Sequence, residues 1–274
     1  MLTATLLALG AAVLHAGWNL AIKQGGDRFI SLWGQFFAAG LMCSVVVLAL
    51  GGLAWDGWRW AALSGAVHLP YCWFLARAYD HGDFSLVYPI ARGGGALIAA
   101  VGGLLLLDDR LSVLGIVAII VVACGLFLLA GRARGPELVS ATAVALSIGI
   151  YSVSDAKGIR ATGDAAYAFA SFLGTMASTT TFGLATGRGE RMIRSLQANW
   201  RRYTLAGAAS VITYTMVQWA FQRAPVGYVT ALRESSVVLA SFAGARLLHE
   251  PAGRRRIAAS LVVLGGLVLL VVAR

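Results

Sequence analysis

The sequence predicts an all-α membrane protein of ten transmembrane helices, arranged as two inverted five-helix repeats. Three observations carry that prediction. The chain of 274 residues is 59% hydrophobic and only 12% charged, whereas soluble domains are about 25% charged; its mean hydropathy is +0.77. Ten apolar runs, each near the roughly 20 residues that a bilayer requires, follow one another with short connections. The chain also matches itself when displaced by 141 residues.

The first run, 2 to 22, has no basic leader and stays apolar past the length of a signal peptide, so it reads as a span. The others cover 30 to 52, 60 to 80, 84 to 107, 111 to 130, 137 to 157, 165 to 186, 203 to 222, 227 to 248 and 255 to 273. In hydrocarbon every backbone N–H and C=O must be bonded internally, which leaves helices and closed barrels. These runs lack the two-residue alternation of barrel strands, so helices are expected. The longest connection is "GRGERMIRSLQANWRR", 187 to 202, and nothing is long enough for a soluble domain.

The displacement by 141 residues brings Arg92 onto Arg233, Gly95 onto Ser236, Ala99 onto Ala240, Gly103 onto Gly244, Asp109 onto Glu250 and Gly125 onto Gly266. Near the front the register slips, with Lys23 standing 134 residues before Lys157. The halves are 1–131 and 137–274. Five spans per half send the second half into the membrane from the opposite side, which suits alternating access around a midplane site. Small residues every fourth position on spans four and nine predict close packing of those two helices.

A net charge of +10 would fit nucleic acid, but the basic residues lie in short connections and form no stripe, so anionic lipid is the expected partner. Cys43, Cys72 and Cys124 all fall in apolar runs without CxxC or Cys/His spacing, which predicts neither disulfides nor a metal site. No P-loop, HExxH or GxSxG motif is present, and the four histidines are scattered, so an enzyme reading is weak and no cofactor is expected. A channel would need a filter segment, and none is seen. Twelve Lys/Arg residues in or directly beside the odd-numbered connections against five in or directly beside the even ones favour cytoplasmic odd connections.

The stretch "LVYPIARGGGALIAAVGGLLLLDDRLSVLGIVAIIVVACGLFLL" (86 to 129) and its echo "VTALRESSVVLASFAGARLLHEPAGRRRIAASLVVLGGLVLL" (229 to 270) share one order: long helix, acidic turn, helix with a late glycine. In this the whole chain resembles the drug/metabolite transporter superfamily, in its ten-helix branch with two EamA-type domains. The resemblance implies secondary transport or export of small metabolites, most nearly amino acids, by a multi-pass monomer of the bacterial inner membrane. It also implies both termini in the cytoplasm, against the basic-residue count. The family is followed here, because an inverted repeat contributes loops of both kinds. Span one lacks the glutamate on which the related small multidrug pumps depend, which counts against proton-for-cation antiport.

The candidate site starts from two arginines. Arg92 lies eight residues into span four and Arg233 at nearly the same depth in span nine. A charge at midmembrane costs about 2.5–3.5 kcal/mol on insertion scales and is usually functional. A guanidinium fork holds a carboxylate at two points. The competing reading pairs Arg233 with a neighbouring acid and Arg92 with backbone carbonyls. Pro89 followed by Gly93 and Gly94 predicts a hinge or a kinked helix beside a cavity. Groups at helical spacing supply walls: His15, Trp18 and Asn19 in span one; His68, Tyr71 and Tyr79 in span three; Tyr88 in span four; Tyr151, Ser154 and Asp155 in span six; Tyr214 and Gln218 in span eight. Each alone is more often helix glue. Glu234 and Asp155, the latter three residues from its expected span end, serve either proton coupling or charge balance, with Glu234 favoured as the counter-ion of an arginine. Transport of organic phosphonates, nucleotide-sugar-like anions or a lipid carrier is the alternative, since arginine serves phosphate equally well.

Overall fold

A computed structural model of the chain describes residues 2–23, 26–82, 84–130, 135–163, 165–236 and 254–273, and every regular element among them is an α-helix. They are α1 (Leu2–Lys23), α2 (Arg28–Ala49), α3 (Trp55–His81), α4 (Phe84–Leu106), α5 (Val113–Ala130), α6 (Pro136–Thr162), α7 (Ala165–Ala185), α8 (Gly189–Phe221), α9 (Val226–Arg233) and α10 (Arg254–Val272). The far part of the ninth expected span, including Ala240 and Gly244, lies outside the described residues, as do the side chains of Trp18, Asn19 and Pro89.

Polarity runs inside out relative to a water-soluble bundle. Leu2, Leu6, Leu9 and Val13 of α1, and Leu41, Val45 and Leu48 of α2, face outward at helical spacing. Arg92, Arg233, Glu234 and Asp155 are all 3% exposed or less. A surface so apolar would aggregate in water and is matched by lipid tails. Of the ten expected spans, two helices among the described residues, Arg28–Ala49 and Pro136–Thr162, are long and apolar enough to cross a membrane by length and composition; four shorter apolar stretches accompany them. Elsewhere the helices give up hydropathy to polar groups: α3 carries charges at both ends, and α7 carries Ser171, Thr175 and Thr179 on one face.

Two boundaries differ from expectation. The 187 to 202 connection is itself helical and continues into the eighth span through a kink at Asn199 (φ −126°, ψ 18°), where the Asn199 amide donates to the carbonyl of Ser195. Helix α6 runs on to Thr162 and is closed by Gly163 in the left-handed region, so Asp155 sits well inside the helix rather than at its end. The extra turn is anchored by Arg160, whose Nε and Nη2 cap the end of α8 by donating to the carbonyls of Phe221 (2.8 Å) and Ala224 (3.0 Å). Arg160 also pairs with Asp109 at 2.7 Å, and Asp109 in turn accepts from the Val226 N–H that starts α9. One acidic turn thereby ties the α4–α5 connection to α6, α8 and α9.

Helix neighbours repeat with a period of five. α3 packs on α6 and α7, α8 on α1 and α2; α4 packs on α6, α9 on α1; α2 meets α7, α4 meets α9 and α5 meets α10. The small ridge of α4 meets α9, as expected, and α6 as well. A Cβ on Gly95 would lie 2.5 Å from Ile148, and one on Gly149 2.3 Å from Ile98, so that face receives α6. Helix α9 reaches α4 at Ala100, 2.7 Å from a Cβ on Gly227. Helix α4 is continuous from Phe84 to Leu106, with Gly93 against Leu126 and Gly94 against Ala145.

Among the described residues, the closest approach of a glycine to another helix's backbone joins α3 to α7. A Cβ on Gly65 would lie 2.2 Å from the carbonyl carbon of Gly174, and one on Gly174 2.3 Å from the Ala61 oxygen; Ser178 donates to the Gly65 carbonyl at 2.7 Å. Backbone cannot yield as a flexible side chain can. Gly65→Ala should therefore destabilise the protein by about 1–3 kcal/mol or more through overpacking. Gly265→Ala, where nothing lies within 4 Å, should be neutral or stabilising by about 0.5–1 kcal/mol. Thermal unfolding of the two detergent-solubilised variants checks the contrast.

Candidate substrate chamber

Between the helices lies a narrow chamber walled by residues from α1, α2 and α3 and from α6, α7, α8 and α9. His15 of α1, Phe36 of α2, and His68 and Tyr71 of α3 line one part. Tyr151 of α6, Phe172 of α7, Tyr214 of α8 and Arg233 of α9 line another, with hydroxyls from Ser171, Thr175, Ser210 and Thr213 between them. Hydroxyls suit such a wall because they can bond their own helix when no solute is present. Thr175 donates to the Ser171 carbonyl at 3.1 Å and Thr213 to that of Ala209 at 2.6 Å.

The aromatic side of the chamber is one packed cluster. The His68 ring stacks on Tyr151 with centroids 4.3 Å apart and meets Tyr71 and Tyr214 edge to face, each at 5.9 Å. His68 Nδ1 is 2.8 Å from the Ser64 carbonyl. A carbonyl can only accept, so Nδ1 carries a proton and Nε2 is the ring's remaining polar atom. Behind Tyr214 lies Asp155, 0% exposed, which accepts from the Tyr214 hydroxyl on one oxygen and from Tyr167 at 3.0 Å on the other. Two phenols therefore stand where a buried carboxylate would usually have a cation.

Arg92 and Arg233 have different fates. Arg92 Nη2 and Glu234 Oε1 are 2.9 Å apart, with both side chains at most 3% exposed. Arg233, 1% exposed, makes no ion pair among the described residues, and its Nε and Nη1 have no hydrogen-bond partner. This inverts the competing reading of the sequence: the neighbouring acid serves Arg92, not Arg233. The asymmetry is written in the chain, since Glu234 follows Arg233 whereas Gly93 follows Arg92.

Of the sequence candidates, Arg233, His15, His68, Tyr71, Tyr151 and Tyr214 line the chamber. Tyr88 stands just outside it, bonded to Ser236 at 3.0 Å with its ring centroid 6.4 Å from that of His15. Gln218 reaches the wall through Ser171 at 3.0 Å, leaving its own Oε1 without a partner. Tyr79 and Ser154 are buried away from the lining. Phe36, Phe172 and the hydroxyls of α7 and α8 were missed. The spacing of Ser171, Thr175 and Thr179 four residues apart is the signal that would have found the α7 wall.

A helical bundle with an apolar exterior and a charged internal chamber is the build of a membrane transporter. The model of the EamA-like transporter family matches residues 136–272, half of the chain. The protein belongs to that family, whose members are integral membrane transporters of small molecules. One solved crystal structure superposes on 99% of this chain and 98% of its own, with a TM-score of 0.72 at 18% identity, a likeness of fold alone. No curated protein matches the chain.

Proposed function

We propose that this transporter carries small carboxylate-bearing metabolites of the chemical class of amino acids, by alternating access between two inverted five-helix repeats, 1–131 and 137–274, as a ten-span monomer of the bacterial inner membrane. The observation that carries the reading is Arg233: a cation 1% exposed, lining an internal chamber with no acid paired to it among the described residues. Such a charge is costly to hold and is best balanced by a solute carboxylate seated on its fork. The ring faces of Tyr71, Tyr151, Phe36 and Phe172 attract an ammonium group and accept an apolar tail. A zwitterion with a side chain uses both.

The five-place periodicity of helix neighbours supports the repeat. The family segment begins with α6, where the second unit is drawn. The Asp109–Arg160 network braces one end of the bundle and an arginine-lined cavity opens at the other; in this reading the two ends open in turn. In this account Arg92 and Glu234 form the neutral partner of Arg233, and Asp155 with Tyr214 is the candidate coupling group. Phosphonates and other oxyanions are the second reading, because a guanidinium binds them in the same manner.

The test is uptake into proteoliposomes of one labelled amino acid challenged by a panel of solutes, with and without a proton gradient. The reading expects competition among amino acids and none from amines lacking a carboxylate. Competition by phosphonates alone would replace it with the second reading.

A further inference from the structure

At the end of the bundle away from the Asp109–Arg160 network, the start of α2, the end of α3 and the α7–α8 turn line a second cavity, open to the outside. Arg28, Arg77, Arg188 and Arg191 line it against Asp27 and Asp80, so the wall is positive by two charges. Arg28 pairs with Asp80, and Arg191 lies 3.6 Å from Asp27. Arg188 pairs with no carboxylate among the described residues. Its guanidinium carbon instead sits 5.5, 5.2 and 5.8 Å from the ring centroids of Phe29, Trp73 and Phe182. Those three rings pack edge to face, with centroids 5.9, 5.5 and 5.3 Å apart.

Stacking occupies the faces of a guanidinium, while its five N–H donors lie around the edge of the plane. One donor, Nη1, goes to Thr186. A cation held this way is positioned by the rings yet still has donors to give, which is what distinguishes a binding group from an ion-paired strut. The mouth also stands over the chamber along shared helices. Phe29 lines the mouth and Phe36 the chamber, seven residues or about 10 Å of helix apart. On α3, Trp73 lines the mouth, and Tyr71 and His68 the chamber.

The geometry points to an anion-capture site at Arg188. The carboxylate of an amphipathic solute binds the free edge of Arg188, and its apolar part lies on Trp73, whose ring Arg77 also approaches at 5.0 Å. The solute then passes inward to Arg233. As a step in transport this rests on the chamber reading above, but binding at the mouth can be measured without transport. An oxyanion at this site could come from solution or from a lipid headgroup; the assignment is to a free solute.

The experiment uses the full chain in nanodiscs of zwitterionic lipid, with benzoate as the probe, titrated by calorimetry. In Arg233→Gln, which disables the chamber, benzoate should still bind. Adding Arg188→Gln should weaken that binding about tenfold or more, as loss of a charged partner does. Equal binding by the single and double variants, or no binding to Arg233→Gln where the wild type binds, overturns the site. Loss of benzoate binding in anionic nanodiscs makes the headgroup the occupant and overturns solute capture. In proteoliposomes Arg188→Gln should raise KM more than it lowers kcat, with partial rescue by Arg188→Lys; an equal fall in uptake with unchanged KM would mark Arg188 as a structural lid. If the wild type moves no carboxylate, the chamber reading fails while the calorimetric result stands.

Discussion

Arg233→Gln is expected to abolish transport and, at the same time, to raise the thermal stability of the protein. Both signs follow from one fact. A guanidinium 1% exposed and without an ion pair among the described residues costs several kcal/mol of desolvation that no ion pair among those residues offsets. Replacing it with a neutral amide removes that cost, so the melting temperature should rise. The same change removes the group that receives the solute. Truncating one partner of a buried charged contact costs about 2–5 kcal/mol, or roughly thirty- to a few-thousand-fold in kcat/KM. Uptake by proteoliposomes and a melting curve on the same preparation read both effects. A variant that is inactive and less stable would place Arg233 among groups that hold the fold.

Glu234→Gln is expected to do the reverse to stability. Arg92 and Glu234 are a buried pair at 2.9 Å, and neutralising the acid leaves two uncompensated cations, Arg92 and Arg233, from neighbouring helices. Breaking a buried pair from one side costs about 3–5 kcal/mol, whereas replacing both partners with apolar residues is often neutral or stabilising. The double variant Arg92→Met with Glu234→Met should therefore recover most of the melting temperature lost by Glu234→Gln. It should also keep measurable transport, because Arg233 remains. A double variant as unstable as the single one would mean that Glu234 is held mainly by something other than Arg92.

The helices were legible in the chain because lipid enforces a simple rule: long apolar runs must be helical. Chamber groups were legible where a polar or aromatic residue interrupts such a run, as with His68, Tyr151 and Arg233. The partner of an arginine was not. Arg92 and Glu234 stand 142 positions apart, and their pairing depends on how α4 meets α9, which no local pattern encodes. The small ridge of α4 was legible only in part, since a stripe of glycine and alanine announces a close neighbour without saying which; here α6 takes Gly95, while α9 takes Ala100 and approaches Gly103. Phe36 and Phe172 were hidden because an aromatic residue in an apolar run looks like packing. The amphipathic start of α8 was hidden by its charges, which read as a loop although their spacing permits a helix with a kink at Asn199.

The most direct test compares an amino acid with its methyl ester as competitors of labelled amino-acid uptake in proteoliposomes, since the ester keeps the amine and side chain and removes only the charge meant for Arg233. The account predicts that the free acid competes and the ester does not. Equal competition by the two would contradict it.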